Sequence, residues 1–142
     1  MKHYDVVIIG AGTAGLSARK VVSKYTQNYV VIDDGILGTT CARVGCMPSK
    51  AFIQVANDFH RRNAFQEIGI DGSEALKVDS EKVMSHTRKL RDRFVRSVLS
   101  GMDDWKDQHF IGKRARFINQ NEIDLGDSKI SGNKIIIATG SS

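Results

Sequence analysis

One proline, two cysteines and 7% aromatic residues among 142 exclude several classes of protein at once. A single proline excludes collagen-like and polyproline chains, although 13 glycines are present. Two cysteines exclude a disulfide-dense secreted scaffold, and in a reducing compartment they are catalytic, metal-binding or simply buried thiols. The longest aliphatic runs, Val6 to Ile9 and Ile135 to Ala138, have four residues each, against roughly 20 needed to span a bilayer. No membrane helix is expected. The N-terminus shows neither an apolar region of signal-peptide length nor a small-residue cleavage site, so a cytoplasmic location is expected. With 41% apolar and 26% charged residues the chain is predicted to be soluble and globular. Its net charge of +5 comes largely from nine basic residues against four acidic ones between His86 and Arg116. These are spread over a predicted helix and strand, which reads as a solvated face and predicts no nucleic-acid partner.

The pattern along the chain is that of an α/β fold. Tyr4–Ile9 reads as a buried parallel-type strand, residues 13–25 as an amphipathic helix, and Tyr29–Ile32 as a second strand, together one right-handed βαβ unit. A helix is predicted from Ser49 to Phe65, and a longer one from an Asp79 N-cap to Met102 with Val83, Thr87, Leu90, Phe94 and Val98 as its seam. Four strand-like runs follow, over residues 110–118, 122–125, 129–130 and 134–138, with Gly126-Asp127 and Gly132-Asn133 as turns.

Two places carry chemistry. Gly10-Ala11-Gly12-Thr13-Ala14-Gly15 is a G-x-G-x-x-G between a strand and a helix. Gly10 allows the tight turn, Gly12 lets a diphosphate approach the backbone, and Gly15 allows close helix–sheet packing. Asp33, at the tip of the second strand, is placed to accept hydrogen bonds from ribose hydroxyls. This predicts dinucleotide binding without distinguishing FAD from NAD. The second place is residues 38–50, with Cys41 and Cys46 separated by four residues. On an ideal helix their Cα atoms would be roughly 8–9 Å apart, too far for a disulfide, so a bridge needs a distorted turn. Gly45 and Pro48 make such a turn feasible, and Lys50 could favour a thiolate. Spacing alone leaves two inert thiols as an equal alternative. Zinc is not expected, because no further cysteine is available. His60, His86 and His109 read as surface or capping histidines, and Trp105 as a packing residue.

The string Gly38-Thr39-Thr40-Cys41-Ala42-Arg43-Val44-Gly45-Cys46-Met47-Pro48-Ser49-Lys50 resembles the redox segment of the flavoprotein disulfide reductases, G-G-T-C-x-x-x-G-C-x-P-S-K. Ala138-Thr139-Gly140-Ser141 is similar to that family's A-T-G-S segment. Ser49-Lys50 after the proline is the form found in lipoamide dehydrogenases and mercuric reductases. The resemblance spans the whole chain and implies a Rossmann-like FAD-binding domain with a parallel sheet, long helices and a small β-meander, incomplete at its C-terminus.

It further implies FAD held at Gly10, Gly12, Gly15, Asp33, Thr40, Lys50, Ala115, Thr139 and Gly140. Cys46 would be the thiol beside the flavin and Cys41 the thiol that meets the substrate. Thr39 stands where the family has a second glycine and is expected to crowd the loop, while Arg43 replaces a common asparagine and either alters substrate access or points to solvent. The implied parent is a homodimeric dihydrolipoamide dehydrogenase passing electrons from a dithiol, free or as a lipoyl group on a carrier protein, to NAD. Residues 1–142 would be the N-terminal part of its FAD domain, inactive alone, with the nicotinamide-binding and dimerisation domains outside this sequence. A mercuric reductase-like flavoprotein and a non-catalytic nucleotide-binding module are the alternatives.

Overall fold

The computed structural model of the chain describes residues 1–141; the boundary drawn at Ser142 lies outside them. The chain divides into two units, residues 1–40 with 98–141 and residues 41–97.

The first unit is built on a six-stranded sheet. Its strands are β1 (Lys2–Ile9), β2 (Tyr29–Ile32), β3 (Phe110–Ile111), β4 (Arg116–Phe117), β5 (Glu122–Asp124) and β6 (Lys129–Ile137), in the order β3-β2-β1-β6-β5-β4. β1 is central because Val7 and Ile8 are fully buried, and β-branched side chains suit a strand covered on both faces. It pairs in parallel with β2, Val6 opposite Tyr29, and with β6, Ile8 opposite Ile136. Helix α1 (Thr13–Val22) makes the crossover between β1 and β2. β6, β5 and β4 are joined antiparallel, forming the small meander. On one face of the sheet Tyr4, Val7, Val30, Ile32, Ile123 and Ile130 form a core; on the other Ile8, Tyr29, Val31, Met102 and Trp105 form a second, backed by Leu16 and Val22 of α1.

Trp105 is the packing residue its sequence suggests: it is buried and its indole N–H donates to the Gly101 carbonyl at 3.0 Å. Arg19 lies over its ring and donates to the Tyr29 hydroxyl at 2.9 Å. His109, in the four-residue helix α5 (Lys106–His109), stacks on Tyr29 with centroids 4.1 Å apart.

The second unit holds α3 (Cys46–His60), a series of 3₁₀ turns between Arg61 and Ala75, and most of α4 (Ser80–Ser100). Asp79 caps α4 as expected, its carboxylate accepting the Lys82 N–H at 3.1 Å. No residue of α3 is fully buried.

Three sequence expectations need correction. Gly132-Asn133 is not a turn; β6 runs through it as one nine-residue strand. Residues 110–118 are not one strand, since Phe110–Ile111 pair with β2 and Arg116–Phe117 pair with β5, at opposite ends of the sheet. The helix placed at Ser49 begins at Cys46, because Pro48 falls in the first turn, where an N–H has no partner within the helix. Among the described residues no helix is long and apolar enough to cross a membrane.

Candidate functional site

The glycine loop joins β1 to α1, and each glycine there has a distinct steric reason. Gly10 has φ +108°, and a Cβ on it would sit 2.2 Å from the Ala138 carbonyl oxygen. A Cβ on Gly15 would lie 1.8 Å from the Gly10 carbonyl oxygen, so the helix can start this close to the strand only without a side chain. Gly12 differs: nothing lies within 4 Å of its Cβ position. It is the N-cap of α1, makes no side-chain cap, and is followed by no acidic residue in the first turn. The first-turn N–H groups and the positive end of the helix dipole are therefore left for an anion.

Asp33 closes the loop from the tip of β2. One carboxylate oxygen accepts the Ala11 N–H at 2.6 Å and the other the Gly35 N–H at 2.7 Å. Each oxygen has two acceptor positions, so one on each remains for a ribose hydroxyl. A cleft of about 370 Å³ opens here, lined by Gly10, Asp33, Ala115 and Thr139 together with Lys113 and Arg114. Four residues picked from the sequence thus meet at one opening although up to 129 positions separate them. Gly12 and Gly15 belong to the adjoining loop. Gly140, next to Thr139, takes φ +80°. Lys113 and Arg114 were missed, being counted with the solvated basic face; their position directly before Ala115 was the available signal. The glycine loop, the uncapped helix and the open carboxylate positions fit the diphosphate and adenosine ribose of FAD.

The cysteine segment is a second local arrangement. Helix α2 (Thr40–Arg43) carries Cys41, and the chain then breaks at Val44-Gly45 before α3 starts at Cys46. Gly45 has φ −112° and ψ −115°, outside the helical region, so the two cysteines are not on one regular helix and the distance limit for an ideal helix does not apply. Both are free thiols, Cys41 half-buried and Cys46 exposed. Cys46, hydrogen-bonding to Cys41 through its side chain, is the main cause holding the Cys41 thiol above its ordinary range; burial and the charge on Cys46 add to this, while the Cys46 backbone N–H and then Lys50 oppose it. Ser49 fixes the start of α3, its hydroxyl donating to the Gly45 carbonyl at 2.8 Å.

Thr40 is the first residue of α2 and is exposed, as is Lys50 on α3. Thr39 is buried with φ +63°, a left-handed conformation that costs a β-branched residue about 1–2 kcal/mol relative to glycine. The expected crowding thus takes the form of backbone strain. Arg43 is half-buried. Among the described residues no group of three or more His, Cys, Asp or Glu side chains could hold a metal ion.

Comparison with known proteins gives a consistent result. The sequence profile described as pyridine nucleotide-disulphide oxidoreductase matches residues 4–142. The chain is 28% identical over 140 residues to a mercuric reductase of Lysinibacillus sphaericus, covering 99% of this chain and 26% of that protein. It is 28% identical over 138 residues to a dihydrolipoyl dehydrogenase of Mycoplasma genitalium, covering 97% of this chain and 30% of that one. The chain therefore spans less than a third of the length of these curated relatives. Among solved structures, the HOCl-induced flavoprotein disulfide reductase RclA of Escherichia coli, in a Cu(II) complex, shares the fold with a TM-score of 0.68 at 22% identity, over 96% of this chain and 28% of that one. A Rossmann-like loop, a paired-thiol segment and a family match over nearly every residue have one common conclusion: the chain belongs to the pyridine nucleotide-disulphide oxidoreductase family.

Proposed function

We propose that this chain is the N-terminal, FAD-holding and dithiol-bearing part of a dihydrolipoyl dehydrogenase. The observation that carries the reading is the interaction of Cys41 with Cys46 across the break at Gly45, with Lys50 on the same unit. In the oxidised form the two sulfurs form a disulfide. A thiolate of dihydrolipoamide attacks Cys41 Sγ, the Cys41–Cys46 bond breaks, and Cys46 leaves with the electron pair. The second substrate thiolate then attacks the substrate sulfur bound to Cys41, closing the lipoamide ring and releasing Cys41. Cys41 is suited to take up a proton at this point, because the side-chain hydrogen bond with Cys46 in the reduced form raises its pKa. Bound FAD would supply a two-electron acceptor from the dithiol and a hydride donor to NAD. Gly10, Gly12, Gly15, Asp33, Ala115, Thr139 and Gly140 would hold it, with Thr40 and Lys50 contributing from the cysteine segment. The NAD site, the homodimer interface and the pocket for a lipoyl group on a carrier protein belong to chain beyond these residues, and the enzyme is assigned to the cytoplasm.

The first relative described above favours a second reading, mercuric ion as substrate. The protein carrying this chain is assayed for lipoamide-dependent NADH oxidation and for mercuric-ion-dependent NADPH oxidation. Lipoamide turnover abolished by Cys41→Ser and by Cys46→Ser supports the proposal. Turnover of mercuric ion alone moves the assignment to the second reading. FAD bound with neither activity, and no long-wavelength thiolate–flavin absorbance on dithiol addition, leaves a nucleotide-binding module.

A further inference from the structure

The basic residues of α4 are not spread evenly around it. At about 100° per residue, Lys82, His86, Lys89, Arg93 and Arg96 fall on one side of the helix, within an arc of about 80° and over a length of about 21 Å. All five are exposed, and no carboxylate of α4 lies within that arc. Lys82 is paired with Asp79 at 3.2 Å, and Asp92, four residues before Arg96, is held by Arg91 at 2.7 Å. Lys89, Arg93 and Arg96, spaced four and three residues apart, have no ion-pair partner among the described residues. Like charges at these spacings weaken a helix. They do not offset the negative end of the helix dipole either, since the last turn of α4 holds no basic residue. A counter-charge from outside these residues would relieve the repulsion.

The borders of the row decide between polyanions. Ser85, Asp92 and Ser97 flank it, all exposed, so no apolar side chain is placed there to enter a lipid surface, and a carboxylate stands where a phosphate backbone would press. Phe94, the one aromatic residue of α4, is half-buried about 120° away and is not placed to stack on a base. A carboxylate-bearing helix repeats its charges at the same three- and four-residue spacing, turn for turn, and a basic residue on it would meet Asp92. We propose that this face of α4 docks an acidic helix of a partner protein, its carboxylates against Lys89, Arg93 and Arg96. The row steers the encounter and fixes the register, and its contribution falls as salt rises.

The protein carrying this chain is titrated with two fluorescent, alanine-based peptides of equal glutamate content. One has its glutamates in a row at three- and four-residue spacing, and the other has them distributed around the helix. The row peptide is expected to bind saturably, roughly tenfold more tightly than the distributed one, and more weakly as salt is raised. Arg93→Glu should weaken its binding by roughly tenfold, whereas Arg88→Glu, the same change of charge about 120° away on the helix, should weaken it by less than about twofold. Arg93→Glu places an acid between Lys89 and Arg96, an arrangement that favours the helix, so the variant is expected to fold. If it does not, Arg93→Gln against Arg88→Gln makes the same comparison. Equal binding of the two peptides, equal loss from the Arg88 and Arg93 changes, or no saturable binding would overturn the proposal. So would Arg93-dependent binding of duplex RNA or of phosphatidylserine vesicles that is tighter than binding of the row peptide. The readout involves neither the cysteines nor the flavin, so it stands or falls separately from the redox function.

Discussion

At the scale of single residues, the three loop glycines separate folding from ligand binding. A methyl group on Gly15 collides with the Gly10 carbonyl, whereas one on Gly12 meets nothing. Gly15→Ala is therefore expected to destabilise the protein by about 1–3 kcal/mol, the usual range for forced overpacking. Gly12→Ala should leave the denaturation midpoint nearly unchanged yet reduce FAD affinity, because its Cβ occupies the approach to the first turn of α1. Urea titration beside flavin fluorescence checks both, and equal destabilisation by the two changes would contradict the steric assignment. Cys41 gives a second residue-scale expectation. Its pKa is raised first by the Cys46 side chain, against smaller lowering by the Cys46 backbone N–H and Lys50, so in the reduced protein its alkylation by iodoacetamide should need higher pH than an ordinary thiol. Cys46→Ala should move the midpoint of that pH profile down, and Lys50→Gln should move it up. Mass spectrometry of the Cys41 peptide reads each shift. The importance of these residues was legible in the sequence, because glycine spacing and the cysteine motif are local signals. The contact between Asp33 and the Ala11 N–H was not, since it joins two segments 22 residues apart.

At the scale of elements, the clearest signals were those in which one residue decides a boundary. Asp79 stands before a helical pattern and does start α4. Its carboxyl is held below the usual range, first by the backbone N–H of Lys82 and then by the Lys82 side chain. A carboxyl depressed on folding contributes stability that is present above its unfolded pKa and is lost as pH falls through the folded value. Asp79→Asn should keep the cap but remove this acid sensitivity from α4, whereas Asp79→Ala should fray the helix start at every pH. Amide exchange at Lys82 and Val83 measured across the acid range distinguishes them. Gly132-Asn133 shows the opposite case. A Gly-Asn pair between apolar runs is a turn signal locally, but the glycine serves packing: its Cβ would lie 2.8 Å from Val7 Cγ2 of the neighbouring strand. That requirement exists only once β6 lies beside β1, so no window along the sequence contains it. Gly112 similarly interrupts an apparent strand that in fact supplies both ends of the sheet.

At the scale of the whole molecule, the two units differ in how much each buries. Among the described residues, every buried hydrophobic one except Ala42 belongs to the sheet unit. In the other, Phe52 and Ile53 of α3 are 47% and 54% exposed, and Ile68, Leu76 and Val78 are similarly open. The hydrophobic pattern indicated that both helices exist, though not their bounds, because periodicity marks which face is apolar, but it does not say what covers that face. Local opening free energy follows buried apolar contact, so the units should not open together. Amides of β1, β2 and the β1-paired part of β6 should exchange only on global unfolding, and those of α3 should exchange earlier by a sub-global route that is insensitive to low urea. Substitution tests the same difference. Ile8→Ala, at a fully buried position, should cost about 2–5 kcal/mol, whereas Ile53→Ala should change global stability by no more than about 0.5 kcal/mol. Equal exchange protection in α3 and β1, or a large loss from Ile53→Ala, would mean that residues 41–97 fold as one cooperative body with the sheet and that their exposed apolar side chains are covered in solution.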